Sequence, residues 1–459
     1  MSLTTLLVVF AIALVFVLVS IIKFNLHPFL SLIIGGLIMG IGTGMPLTDV
    51  AGSLTQGFGG TMQGIGIIII LGIGIGHLLH ISGATETIAA LMLRFTGQKN
   101  SPLAVNLTGY IVSIPVFFDA AFVILVNLVK SLSRKGKVPF VTLVTALSVG
   151  LIVTHAMVIP TPGPIAVADT MGVNIGWFLL YSIAVSLPAS LAGGVFYVKY
   201  LGSKKEYAQD FANAFADEEV AEVTQTEKKN TPSGGLGIFL IFLPIVMILM
   251  GTVSSLFLEK GSTMHVFFNF LGNRNIALLI GFLVAFVMLK PFIKDSLNDV
   301  VTSAANSSGI ILAITGAGGA FGRIINDTGI GQKLVEGMTG LTAGAGIAMI
   351  IAAFVISQVL RAAQGSTTVA LVTTSAIFSP IIAGMATVSP ILVGLAICAG
   401  GIGISLPNDS GFWVVGRFSK FDVKQTIQVW TTGGTIAGVT ALIVILILAM
   451  FATTLPGLL

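Results

Sequence analysis

Four ionisable side chains stand in apolar surroundings, each beside a helix breaker. Asp119 closes Pro115-Val-Phe-Phe-Asp119, and His155 precedes Pro160-Thr-Pro-Gly-Pro164. Arg361 precedes Gly365-Ser-Thr-Thr368, and Asp409 sits within Pro407-Asn-Asp-Ser-Gly411. A charge at membrane depth costs about 2.5–3.5 kcal/mol on insertion scales, so such residues normally face a cavity or a partner. Asp119, His155 and Asp409 are the proton-carrying candidates; a histidine changes charge near neutral pH. Helix breaks free backbone amides, and Gly365-Ser-Thr-Thr368 adds hydroxyls, which suits a carboxylate at a helix N-terminus. Arg361 can pair such an anion bidentately. Each residue also has a plainer reading. Asp119 or Asp409 can cap a broken helix, His155 can be packing, and Arg361 can pair with Asp119 or Asp409 or snorkel to the interface. The chemistry on offer is reversible capture of a small anion near proton carriers. An intramembrane enzyme would need a nucleophile–base pair or a metal set, and the sequence offers neither.

Elements must bring these residues together. The mean hydropathy is +1.03, with 55% hydrophobic and 9% charged residues. A soluble domain is about a quarter charged, so the chain reads as an all-α polytopic membrane protein. The expected spans are roughly 4–22, 27–44, 61–80, 138–158 and 176–198, then 235–257, 275–293, 308–322, 384–404 and 428–452. Leu6 to Ile22 lacks a basic leader and a small-residue cleavage site, and reads as a retained span. The stretches 102–130 and 347–376 are apolar but interrupted, and suit re-entrant hairpins. Such backbone is tolerated at membrane depth only where protein or a water cavity covers it.

The two halves repeat. Gly76-His-Leu-Leu-His-Ile-Ser-Gly83 aligns with Gly322-Arg-Ile-Ile-Asn-Asp-Thr-Gly329 at an offset of 246. The same offset places Pro115–Asp119 on Arg361–Gly365, and one residue more places Pro160–Pro164 on Pro407–Gly411. Helix breakers duplicated in this way point to a secondary transporter and to its binding site. Basic residues set the orientation. Arg94, Lys99, Lys130, Arg134, Lys135 and Lys137 mark cytoplasmic ends, whereas their counterparts near 340–346 and 376–383 are uncharged. The second half carries Lys290, Lys294, Arg417, Lys420 and Lys424 at its other ends. Two inverted-topology repeats are therefore expected, residues 1–201 and 233–459, joined by a polar cytoplasmic linker, 202–232. Each repeat holds a re-entrant hairpin and a broken helix.

Weaker features get structural readings. His77-Leu-Leu-His80 lacks the acidic ligand of a zinc site and marks a span end. Gly72-x-Gly-x-Gly76 and Gly316-x-Gly-Gly319 follow no strand and suit close helix contact. Arg323 and Asp327 are spaced to pair on one helix. Asp169 and Asn174 read as loop polars, and Cys398 as core. No basic patch interleaved with aromatics suggests nucleic acid.

Together these residues resemble the gluconate:proton symporter family of permeases, over nearly the whole chain apart from the linker. The matching motifs are Phe117-Phe-Asp-Ala-Ala-Phe122, Ser148 to Pro164, Arg361 to Thr368 and Asn408 to Trp413. The resemblance implies proton-coupled uptake of gluconate or related hydroxy-acids, with D-serine in some members. It also implies a fold similar to the wider ion transporter superfamily, with paired hairpins meeting near mid-membrane. Many members carry Glu where Asp119 stands, and Pro-His-Pro-Gly-Pro where this chain has Pro160-Thr-Pro-Gly-Pro164.

The expectation is a multi-pass inner-membrane symporter that moves a small organic anion inward with protons. Gly365, Ser366, Thr367, Thr368, Thr161, Asn408 and Ser410 are expected to hold the anion, with Arg361 as its cationic candidate. Asp119, His155 and Asp409 are expected to carry the coupling. No cofactor, metal or nucleic acid is expected; the partners are the anion, protons and the lipid bilayer, and a homo-oligomer is possible. The rivals are sodium coupling, a D-serine carrier and, from another class, a channel, which would want a continuous polar ring.

Overall fold

Helix ends along the chain are set by proline, glycine and capping side chains. The computed structural model describes residues 3–24, 26–96, 101–136, 138–204, 207, 230–259, 261–329, 344–383, 385, 387–406 and 409–459. Among them every regular element is a helix. The first half holds α1 (Leu3–Ile22), α2 (Pro28–Gly42), α3 (Leu47–Ile81), α4 (Ala84–Thr96) and α5 (Ser101–Val112). It continues with α6 (Phe118–Gly136), α7 (Phe140–Met157), α8 (Pro162–Thr170), α9 (Ile175–Leu191), a π-helical turn and α10 (Tyr197–Gly202). The second half holds α11 (Gly234–Phe257), α12 (Thr263–Leu271), α13 (Arg274–Leu289), α14 (Leu297–Asp327) and α15 (Gly344–Gln364). It ends with α16 (Thr367–Ile382), α17 (Pro390–Gly400), α18 (Ser410–Ser419), α19 (Val423–Thr426), a π-helical turn (Ile427–Thr432) and α20 (Gly433–Ala449).

Eight of these helical stretches are long and apolar enough to cross a membrane. Both interrupted stretches break where expected. Residues 113–117 separate α5 from α6, and Gly365-Ser366 separate α15 from α16. The helix broken at Pro160 continues as α8, which starts with Pro162 in the first turn, where its missing N–H costs nothing. The matching break separates α17 from α18, whose N-cap is Asp409.

Three features differ from expectation. The spans expected near 61–80 and 308–322 belong to much longer helices, α3 with 35 residues and α14 with 31. At 1.5 Å per residue α3 is about 52 Å long. Its polar first half stays helical because small residues pack it against α14. A Cβ on Gly57 would lie 2.5 Å from the Gly319 carbonyl oxygen, so the two backbones are close, as at small-residue membrane interfaces. Second, α4 and α12 are short additional helices. Third, Asp169 is in the last turn of α8, not a loop, and accepts a hydrogen bond from Arg274 Nη2 at 2.9 Å. Arg323 pairs with Asp327 at 2.8 Å, as the spacing suggested, and Ser53 donates to the same carboxylate at 2.7 Å.

The halves interlock reciprocally. α3 packs along α14; α2 packs on α14, while its counterpart α13 packs on α3. Likewise α7 packs on α9 and α17 on α20, and α9 meets α20 across the halves. This frame holds the broken helices face to face.

Candidate functional site

Helix termini converge on one cavity. The N-terminal ends of α6, α16 and α18 border it through Phe118 and Asp119, through Thr367 and Thr368, and through Asp409 and Gly411. The remaining wall is Phe117, Ile152, His155, Arg361, Gly365, Ser366 and Trp430. Its volume is about 190 Å³. One water needs about 10–15 Å³ on this scale, so the cavity has room for on the order of ten waters or one small organic solute. Three positive dipole ends aimed at one space favour a negative charge there.

Gly365 makes the second break possible. Its φ of +68° is in the left-handed region, and its N–H caps α15 by donating to the Arg361 carbonyl at 3.0 Å. The chain then turns through Ser366, whose Oγ accepts from the Val369 N–H at 3.4 Å and starts α16. Thr367 Oγ1 donates to the Gly401 carbonyl at 3.2 Å. The Ser366 proton remains available to a ligand, whereas the Thr367 proton is already used.

Arg361 is 1% exposed and bonds Asp409 Oδ2 through Nη2 at 2.5 Å. Its Nε and Nη1 are buried and find no hydrogen-bond partner among the described residues. An unpaired buried donor costs about 1–3 kcal/mol, so the empty guanidinium is under-satisfied. Of the sequence readings of Arg361, the pair with Asp409 is present, and Nε and Nη1 lie in the cavity wall without a partner among the described residues.

Asp409 is fully engaged. Besides Arg361, Trp430 Nε1 donates to Oδ2 at 3.2 Å, the Gly411 N–H to Oδ1 at 3.0 Å, and the Ser405 hydroxyl to Oδ2. Guanidinium, indole and amide only donate, so this carboxylate serves as acceptor and counter-charge. Asp119 is exposed, in the first turn of α6, and is not without contacts of its own. His155 is buried, with its ring centroid 5.8 Å from that of Phe117 and Nδ1 unpartnered.

The structure therefore gathers Asp119, His155, Arg361, Gly365, Ser366, Thr367, Thr368 and Asp409 in one place. Thr161 is not part of this wall. It stands at the N-cap position of α8 without a side-chain cap, donates its hydroxyl to the Val158 carbonyl, and lines a small chamber alongside. Asn408 and the Ser410 side chain lie outside the described residues. Sequence reasoning missed Trp430 and Ser405. Trp430 comes from the π-helical turn, packs its ring against Phe118 with centroids 4.5 Å apart and planes tilted by 46°, and donates to Ser405 Oγ at 2.6 Å. Tryptophan in an apolar segment carries no local signal for such a role. π-turns recur at functional sites, but sequence does not announce them.

Paired helix breaks around a polar cavity, within a bundle of helices long and apolar enough to cross a membrane, suit a transporter. The chain belongs to the GntP family of permeases, whose pattern matches residues 4–451. It is therefore a multi-pass membrane protein of a permease family, not an enzyme. It is 38% identical over 437 residues to an uncharacterized permease of Haemophilus influenzae, covering 92% of this chain and 88% of that one. It is 31% identical over 427 residues to the low-affinity gluconate transporter of Escherichia coli K12 (92% and 93% covered). It is also 31% identical over 434 residues to the D-serine transporter DsdX of the same organism (94% and 95% covered). Its fold is similar to that of the Alcanivorax borkumensis YdaH transporter, with a TM-score of 0.69 at 15% identity over 94% of this chain and 99% of that one.

Proposed function

We infer that this permease takes up a small hydroxy-carboxylate, gluconate or a close relative, together with protons. The observation that carries the reading is the bare edge of Arg361 beside the converging helix N-termini. A carboxylate there satisfies Nε and Nη1, takes the Ser366 hydroxyl and lies on the α16 dipole. Charge counting supports coupling. Arg361 and Asp409 cancel, so an incoming anion adds to the charge that Asp119 brings to the cavity wall, and a proton on Asp119 or His155 offsets it. Thr368, Asn408 and Ser410 are assigned to the hydroxyl end, and Thr161 to its margin. A D-serine reading is favoured by one observation, the 31% identity to DsdX; there Asp119 pairs the ammonium. Uptake into proteoliposomes of aldonates, hydroxy-acids and D-serine, with and without an imposed pH gradient, tests the reading. Accumulation of none of them, or accumulation indifferent to the pH gradient, overturns it.

Ser366→Ala is expected to weaken carboxylate binding about 10- to 150-fold, the equivalent of the 1.5–3 kcal/mol of one hydrogen bond to a charged group. Thr367→Val is expected to act less on affinity, because its hydroxyl already serves Gly401. Competition against labelled gluconate measures both; wild-type affinity in Ser366→Ala places the carboxylate elsewhere.

The repeats are proposed to be inverted, with 1–201 and 233–459 as the units and the 202–232 linker cytoplasmic. The shared order of breaks and the switched charge bias support this. Ser203 and Ala383 are exposed, and the buried Cys398 is the native cysteine. In a Cys398→Ser background, Ser203→Cys is expected to label from the cytoplasm and Ala383→Cys from outside. Labelling of both from one side counts against inversion.

A further inference from the structure

Three cavities lie in a row and share walls. A vestibule of about 160 Å³ opens between α3, α14 and the tip between α5 and α6, with His77, His80, Ser303 and Ser307 in its lining. It shares Ile73, Pro115, Val116 and Phe117 with a chamber of about 10 Å³. That chamber shares Phe117 and His155 with the central cavity. Its size suits about one water. Polar surface is present at both of its ends. A Cβ on Gly76 would lie 2.0 Å from the Pro115 carbonyl oxygen, and one on Gly72 3.4 Å from that of Pro160. The glycine face of α3 thus admits the carbonyls of both chain breaks. His155 Nδ1, unpartnered and buried, is the polar atom that lacks a neighbour.

We propose that protons leave the substrate site by this route, from His155 through one chamber water to the His77/His80 vestibule at the cytoplasmic end of α3, apart from the path of the anion. The inference rests on the reading of the central cavity as a proton-coupled anion site. Size makes the chamber a filter: an organic anion cannot fit a one-water space, whereas a proton crosses it by exchange. The transfer balances. The Asp119 carboxyl gives its proton to the His155 ring, the ring passes one to the chamber water, and the water passes one of its own to a neutral vestibule histidine, which releases it to the cytoplasm. The charged groups acting on these rings are few. Asp295, in the turn before α14, and His80 act on His77; Arg361 and Asp409 act on His155.

Two perturbations from different parts of the route test it in proteoliposomes, with gluconate as the probe. Gly72→Ala places a methyl group at ordinary contact distance from Pro160 and fills the chamber. His77→Gln combined with His80→Gln removes the titratable groups of the vestibule. Each is expected to keep gluconate counterflow within about twofold of wild type and to slow uptake driven by a pH gradient at least 10-fold. Wild-type rates of gradient-driven uptake in both variants overturn the route. Loss of counterflow in both overturns the separation of proton and anion paths. If the wild type itself ignores the pH gradient, proton coupling fails first, and the route with it.

Discussion

Arg361→Gln is expected to remove carboxylate transport and to cost about 3–5 kcal/mol of stability, because it leaves Asp409 as an uncompensated buried charge. The pair is nearly inaccessible, with side chains 2% and 6% exposed. A loss of that size is a large share of the 5–15 kcal/mol that holds a typical protein folded, so the single variant should express poorly. Poor expression alone would say nothing about the anion. The informative protein is the double variant Arg361→Met, Asp409→Leu. Replacing both members of a buried ion pair by apolar groups of similar size is often neutral or stabilising. Thermal melting in detergent should therefore return close to wild type, while binding of every carboxylate stays absent. Arg361→Lys sharpens the distinction. It keeps the charge but loses the planar fork, so it should hold Asp409 and bind the anion weakly. Transport at wild-type rate by the stable double variant would remove Arg361 from the site.

Asp119→Asn is expected to reduce accumulation under an imposed pH gradient to simple equilibration, while exchange of internal for external substrate persists. The substitution preserves size and hydrogen-bonding shape and deletes only the titratable group. Asp119 also sits in the first turn of α6, where a negative charge contributes about 0.3–1 kcal/mol through the helix dipole. A small loss of stability is thus expected and is separable from the transport defect by melting. Full accumulation by the variant would shift coupling to His155, since Asp409 has its acceptor capacity committed to Arg361, Ser405, Trp430 and Gly411.

The breaks were the legible part of this fold. Proline at 115, 160, 162 and 164 and glycine at 365 cannot be read as helix interior, and each marks a helix end that the structure contains. The gathering of Asp119, His155, Arg361 and Asp409 followed from the offset between the halves. Which acid pairs with Arg361 did not follow. Asp119 and Asp409 occupy similar local sequence, and only the loop through Ser405 and the indole of Trp430 selects Asp409. The length of α3 was hidden for another reason. Its first half, Leu47 to Gln63, buries Ser53 and Thr61 and seats half-buried Gly57 against α14, and hydropathy does not register an interface built from small polar residues. Thr161 looked like a cavity residue because it stands among three prolines, yet its hydroxyl turns back to the Val158 carbonyl.

The reciprocal seating of α2 and α3 on α14, and of α13 on α3, sets a schedule for biosynthesis. At about 5–20 residues per second, the 246 residues from the end of α3 at Ile81 to the end of α14 at Asp327 take on the order of 12–50 s to translate. For that interval the small-residue flank of α3 has only lipid for company. The nascent first half therefore lacks its main partner, and its folding must wait for the second. A lesion on α3 and a lesion on α14 should accordingly yield the same assembly defect, since neither surface has an alternative mate.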